Sequence, residues 1–136
     1  MGTAVKMYAA GTGGTQDGIA SIDVPLSGNL ISVWWAVNWS GSADADVFRA
    51  QVSFGTAGNF ATNDSRQVIS EVRQECQLVT SGELANAINV AHPINLPVNQ
   101  GERVYMHLLV TTSIASQVAA ILNFDFDIDR PLARRR

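Results

Sequence analysis

The chain has 136 residues and a single cysteine, Cys76, so neither an intramolecular disulfide nor a metal site built from several cysteines can form. Its length suits one domain, and its net charge of −3 gives no reason to expect nucleic-acid binding by the folded body. Charged residues make up 15% of the chain, against about 25% in a typical domain. An oligomer would explain this low charge, and so would a monomer with an uncharged polar surface. No apolar stretch reaches the ~18 residues of a membrane-spanning helix, and we expect no secretory signal.

Apolar residues at every second position predict β-strands along most of the chain, because successive side chains of a strand point to opposite faces. Two short strands are predicted within residues 5–9 and 20–24. In residues 31–39 every odd-numbered side chain is apolar and is predicted to face the core, which leaves Trp34 on the opposite face. The alternation resumes in residues 48–54 after a turn rich in Gly and Ser, so the two runs predict an antiparallel hairpin.

Residues 65–79 fit two structures. Ile69, Val72, Cys76 and Val79 are spaced three, four and three residues apart, which is the spacing of a helix face. The surroundings favour a strand, because the flanking segments are β and a hairpin-like Thr-Ser-Gly turn follows. We predict a strand here and leave open a helical turn at its start.

Three further strands are predicted within residues 88–98, 104–110 and 118–128. Pro93 and Pro97 place the first of them at a sheet edge or on a bulged path, because proline has no N–H to donate to a neighbouring strand. The other two are joined by a short connection and predict a second hairpin. About eight short strands separated by turns predict an all-β sandwich or barrel.

Few residues offer catalytic chemistry. His92 and His107 are the available general bases, and because no nucleophile motif accompanies them we interpret both as hydrogen-bonded strand residues. Asp125, Asp127 and Asp129 alternate along the last strand at intervals of roughly 7 Å, too far apart on a stiff strand to converge on one calcium ion. We interpret this row as a solvated acidic stripe. The sequence therefore predicts no enzymatic activity, no cofactor and no metal.

Interaction with partners is the alternative that the residues support. If Trp35 and Trp39 fill the core, Trp34 must be covered by another part of its own domain, by another subunit or by a sugar ring. Tyr8 is a second candidate for such an exposed aromatic contact.

The C-terminal residues 130–136 contain four of the nine basic residues, namely Arg130, Arg134, Arg135 and Arg136. Without these four positive charges the net charge of −3 becomes about −7, so the basic arm differs sharply from the body of residues 1–129. The arm is predicted to seek an acidic protein surface. Nucleic acid is a less favoured target, and a solvated tail without a partner is the remaining interpretation.

Residues 94–107 read Ile-Asn-Leu-Pro-Val-Asn-Gln-Gly-Glu-Arg-Val-Tyr-Met-His, in which a strand ends at Pro-Val and the next opens at Val-Tyr after a Gly-Glu turn. With the final Asn123-Phe124-Asp125-Phe126 and the compact length, the chain resembles small jelly-roll virion proteins of tailed bacteriophages. These proteins decorate or cement capsids or form fibre heads.

The resemblance implies a jelly-roll β-sandwich of about eight antiparallel strands, located in the virion and assembled in the host cytoplasm. It also implies that the chain, as a homotrimer, binds the major capsid protein or another virion protein and reinforces the outer capsid lattice. No membrane partner is implied. The alternative is a receptor- or carbohydrate-binding module such as a fibre tip.

Overall fold

The computed structural model describes residues 2–12, 16–41, 46–55, 67–75, 84–110 and 114–127. The regular elements in these residues are eight strands: β1 (Gly2–Thr12), β2 (Gln16–Asp23), β3 (Gly28–Gly41), β4 (Val47–Ser53), β5 (Val68–Glu75), β6 (Leu84–Val98), β7 (Arg103–Leu108) and β8 (Ala115–Phe126). The all-β prediction is confirmed, and β5 confirms the strand within the ambiguous segment as far as Glu75. Cys76 and the residues up to position 83 lie outside the described part. The described chain contains no helix long and apolar enough to cross a membrane.

The strands form two four-stranded antiparallel sheets that pack face to face. The first sheet has the order β1-β8-β3-β6 and the second has the order β2-β7-β4-β5. Only β4 and β5 are neighbours both in sequence and in a sheet, and every other connection passes from one sheet to the other. This eight-stranded double sheet is a jelly roll, which confirms the predicted fold class.

Both predicted hairpins are wrong. The first paired β3 with β4 and the second paired β7 with β8, but in each case the two strands belong to different sheets. The antiparallel partners of β3 are β6 and β8, and those of β4 are β5 and β7. Side-chain alternation reports which face of a strand is buried and does not report its neighbour, so a short connection between sheets resembles a hairpin turn in sequence.

The core lies between the sheets and is made of the inward side chains of all eight strands. Trp35, Phe48, Leu122 and Phe124 are among the largest side chains that are completely buried. Trp39 of the first sheet stacks on Phe48 of the second with ring centroids 5.9 Å apart, so aromatic contact joins the layers near the end of β3.

One residue of β3 departs from the predicted alternation. Ile31 was predicted to face the core with Val33 and Trp35, but it is 43% exposed. The register of β3 against β8 shifts between Leu30 and Ser32, so Ile31 is an extra residue on β3 and Leu30 takes the core position before it. A bulge reverses which side chains of a strand, odd- or even-numbered, point to the core. The pattern of apolar residues alone does not reveal where such a bulge occurs.

The Gly-Glu turn of the sequence motif closes one end of the sandwich. Gly101 has a φ of +89°, a conformation that glycine adopts without strain, and its N–H donates to the carbonyl of Val24 at 2.8 Å. The carbonyl of Glu102 accepts from the N–H of Val24 at 2.8 Å. The turn between β6 and β7 is therefore tied to the connection between β2 and β3.

Candidate docking face

His107 is completely buried although it points away from the core, on the outer side of the second sheet. Its Nδ1 accepts from the N–H of Gly18 at 3.0 Å, and its Nε2 lies 2.6 Å from Oγ of Ser53. The Ser53 hydroxyl donates its proton to the carbonyl of Gly55 at 2.6 Å, so Nε2 must carry the proton that bridges to Ser53. A histidine that activates a serine must accept the serine proton, so this arrangement is structural rather than catalytic.

His92 joins the two sheets. Its Nδ1 lies 2.6 Å from the hydroxyl of Ser70 on β5, and the same hydroxyl accepts from Nε1 of Trp35 at 2.8 Å. A second link of this kind runs from Nε1 of Trp39 to the side-chain oxygen of Gln74 at 2.6 Å. His92 and His107 are hydrogen-bonded strand residues, as predicted, and they belong to different sheets.

The acidic row of β8 is only partly described. Asp125 and Asp127 are exposed, and Asp129 lies outside the described residues. The part of the chain that the structure describes contains no cluster of three or more His, Cys, Asp or Glu side chains suited to a metal ion.

The outer side of the first sheet carries exposed aromatic residues. Trp34 and Tyr8 are 49% and 52% exposed. Around them lie small or apolar outward residues of the same four strands. The resulting surface, here called the Tyr8–Trp34 face, consists of Tyr8, Trp34, Ala36, Ala91, Ala119 and Ile121.

The strand register explains why the two rings stay uncovered. Trp34 lies between Ala91 of β6 and Ile121 of β8. Tyr8 lies beside Ala119, and Ala36 follows on the other side of that residue. Alanine is too short to shield a neighbouring indole or phenol ring, which leaves about half of each ring exposed.

Charge is scarce on this side of the sandwich. Among the outward side chains that the structure describes on the first sheet, Lys6 and Asp125 alone are charged. Lys6 places its Nζ 5.5 Å from the centre of the Tyr8 ring, which is within the range of a cation–π contact. An antiparallel sheet with one face toward solvent normally has polar outward residues. The Tyr8–Trp34 face departs from that rule, whereas the surrounding outward residues Asn38, Asn89 and Gln117 follow it.

The outer side of the second sheet is the opposite in character. Three ion pairs lie on it, each with a nitrogen–oxygen distance of 2.8 Å: Arg49–Glu71, Arg73–Glu75 and Arg103–Asp23. The hydrogen bond and charge of Arg103 hold the pKa of Asp23 below its usual value. Partial burial raises the pKa of Glu71, but hydrogen bonds from Arg49 and Gln51 and the charges of Arg49 and Arg73 outweigh burial and lower it overall. The charged side chains of the two described outer sides are therefore concentrated on the second sheet.

The structure places both aromatic candidates of the sequence, Trp34 and Tyr8, on one surface. The four arginines of the arm, Arg130, Arg134, Arg135 and Arg136, lie outside the described residues. Sequence reasoning missed the apolar neighbours Ala91, Ala119 and Ile121. The signal was present in the outward positions of β8, where two apolar residues stand where a solvated strand normally has polar ones.

No protein-family model and no curated protein matches the chain. Among solved structures, it is similar to that of Eiger TNF from S. frugiperda, with a TM-score of 0.54 and 9% identity over 95% of this chain and 96% of that one. It also matches infectious bursal disease virus Gx strain with a TM-score of 0.44, 12% identity and coverage of 98% of this chain and 32% of that one. A match to Mud Crab Dicistrovirus has a TM-score of 0.34, 13% identity and coverage of 93% and 68%. The similarity to Eiger TNF shows a shared fold.

Proposed function

We propose that this protein is a structural virion protein that docks on the outer surface of a capsid lattice through the Tyr8–Trp34 face and reinforces that lattice. The observation that carries the proposal is the contrast between the two outer sides of the sandwich. One side carries three ion pairs, and the other has Lys6 and Asp125 as the only charges among its described outward side chains and exposes Trp34 and Tyr8. Exposed tryptophan and tyrosine on a surface with few charges are typical of the centre of a protein interface.

The jelly-roll fold and the sequence resemblance support the same role. Double-sheet jelly rolls build viral capsid domains and also lectin domains, so the fold alone does not choose between them. The resemblance to phage decoration and cement proteins adds the capsid lattice as the partner. A homotrimer and an arginine arm that attaches by charge to the shell, through Arg130 and Arg134–Arg136, complete the proposal.

Binding of a carbohydrate is the second interpretation of an exposed aromatic face. A sugar stacks on an aromatic ring while polar side chains beside the ring bind its hydroxyls. The register neighbours of Trp34 are Ala91 and Ile121, and the register neighbour of Tyr8 is Ala119, so the residues directly beside the rings are apolar. Polar side chains, Ser32, Asn89 and Asn123, follow one register position away. We favour a protein partner because the contact would begin at the apolar neighbours, and we keep the glycan as the second candidate.

Co-sedimentation with empty shells, assembled from the major capsid protein of the same genome, tests the proposal. Trp34→Asp should reduce the bound fraction at least tenfold, because a charge would be buried at the centre of the contact. Val68→Asp is the matched control, since Val68 is 47% exposed on the second sheet and should bind like the unaltered protein.

Two results would refute the proposal. One is equal shell binding by the Trp34→Asp variant and the unaltered protein. The other is failure of the unaltered protein to bind shells while it binds immobilised glycans, which would assign the face to carbohydrate.

A further inference from the structure

The four edge strands of the sandwich differ in how they are protected from pairing with other chains. Natural edge strands are protected by charged side chains, prolines or bulges. In the second sheet β5 carries three charged residues, and β2 has an irregular register between Gln16 and Ala20. In the first sheet β1 carries Lys6. The remaining edge, β6, has 15 residues and none of them is charged. Its prolines, Pro93 and Pro97, and its register irregularity lie in the C-terminal half, so the N-terminal half has none of these protections.

The prolines of β6 show which backbone groups face its free edge. Among the described strands, β6 pairs only with β3, and Pro93 lies opposite Ser32 in that ladder. Proline donates no hydrogen bond, so Pro93 belongs at a position whose nitrogen points away from β3. The register is continuous from there back to residue 84, so Ala87, Asn89 and Ala91 turn their N–H and C=O groups to the same free edge.

The inward side chains of β6 are also incompletely covered. Ile88, Val90, Ile94 and Leu96 are only partly buried, whereas the inward residues of the central strand β8, such as Leu122, are completely buried. The proline-free half of β6 therefore combines an apolar strip on the core side with backbone groups that are paired with no other described strand. Both features would be satisfied by one further strand.

We propose that two copies of this chain pair through β6, antiparallel and about a two-fold axis close to Asn89. Two copies of β6 are compatible as neighbours, because neither copy brings a charged residue to the contact. The residues that would face each other on the outer side, Ala87, Asn89 and Ala91, are small. When Asn89 lies opposite Asn89 of the second copy, Ala87 faces Ala91, and Ile88 covers Val90 on the core side. A two-fold contact of this kind uses one surface twice and closes on itself.

The pairing goes beyond the proposed function and enlarges the surface on which that function depends. An antiparallel pair of β6 strands joins the two first sheets into one sheet of eight strands. The axis is perpendicular to this sheet, so both Tyr8–Trp34 faces lie on the same side. One assembly then presents two copies of Trp34 to a partner surface, and two linked contacts bind more tightly than either alone.

Light scattering with mass determination tests the pairing, with Asn89→Pro as the test variant and Asn89→Ala as its control. Asn89→Pro removes the N–H that faces the free edge and, like Pro93, leaves the ladder with β3 intact. Asn89→Ala keeps that N–H. The unaltered protein should have the mass of two chains, or of six if the proposed trimer forms as well, where one chain is 14.6 kDa. Asn89→Pro should halve the mass, and Asn89→Ala should preserve it.

A mass of one or three chains for the unaltered protein would overturn the pairing. So would an Asn89→Pro variant that retains the full mass and a cooperative unfolding transition. If that variant fails to fold, Val90→Lys is used instead. It places a charge on the apolar strip, and it should also halve the mass measured by light scattering. Shell binding is measured separately, so the pairing can fail while the docking face stands.

Discussion

Trp34 and Trp35 are adjacent in the chain and lie on opposite faces of the same sheet. Trp35 is completely buried, and its Nε1 donates to the hydroxyl of Ser70 in the other sheet at 2.8 Å. Trp34 is about half exposed above Ala91 and Ile121. One indole therefore holds the two layers together, while the other is available to a partner.

The two tryptophans should differ in their effect on stability. Trp35→Ala leaves a large cavity and removes a buried donor, so the free energy of unfolding should fall by about 3–5 kcal/mol. Trp34→Ala should lower it by only about 1 kcal/mol, because about half of the ring is exposed to solvent. Urea unfolding measures both. Equal losses for the two variants would show that Trp34 is a core residue.

Two glycines offer a second matched pair. Gly101→Ala should destabilise the protein by about 1–2 kcal/mol, because φ is +89° there while the space around the new methyl group is open. Gly28→Ala should be more damaging, since its methyl group would overlap the backbone of Asp125 and Phe126 where β3 meets β8. Thermal unfolding of the two variants should follow this order. The reverse order would contradict the close approach of the two strands.

Ser53 should be structural and chemically inert. Ser53→Ala removes the acceptor for Nε2–H of His107 and the donor to Gly55, which should reduce the free energy of unfolding by about 1–3 kcal/mol. A fluorophosphonate reagent, which labels activated serines, should leave the unaltered protein unmodified. Mass-spectrometric detection of the adduct on Ser53 would contradict the direction of this hydrogen-bond chain.

Glu71 should make stability depend on pH in the acidic range. Its folded pKa is lowered, so below about pH 5 the unfolded chain binds more protons than the folded protein and stability falls as pH falls. The ion pair with Arg49 is partly exposed, which limits its contribution to less than about 1 kcal/mol. Glu71→Gln should therefore show a smaller drop in Tm between pH 6 and pH 3. Identical drops for the variant and the unaltered protein would exclude this contribution.

The sequence predicted the strands well, because alternation follows directly from the geometry of a half-buried strand. It placed Trp34 on the face opposite Trp35, which is confirmed. It predicted an edge or a bulged path for β6, and the strand is an edge strand with a register irregularity beside Pro93. It did not predict which strands are neighbours, because pairing between distant segments leaves no local pattern. The bulge at Ile31 and the burial of His107 on an outer face depend on tertiary contacts and could not be predicted from alternation.

Only part of the candidate site could be predicted from the sequence. Trp34 stood out because it breaks the alternation of residues 31–39, and Tyr8 was named as a second candidate for an exposed aromatic contact. Their apolar neighbours Ala91, Ala119 and Ile121 come from two other strands, so the face exists only once the strand order is known.

Acrylamide quenching of tryptophan fluorescence, in the free protein and in its complex with shells, tests the docking face most directly. Trp35 and Trp39 are buried, so the quenchable fraction of the emission belongs to Trp34. In the free protein acrylamide should quench a measurable fraction of the emission, and this fraction should be absent from the Trp34→Phe variant. On shell binding the account predicts that the quenchable fraction is lost. Its persistence in a saturated complex would contradict the claim that the Tyr8–Trp34 face meets the shell.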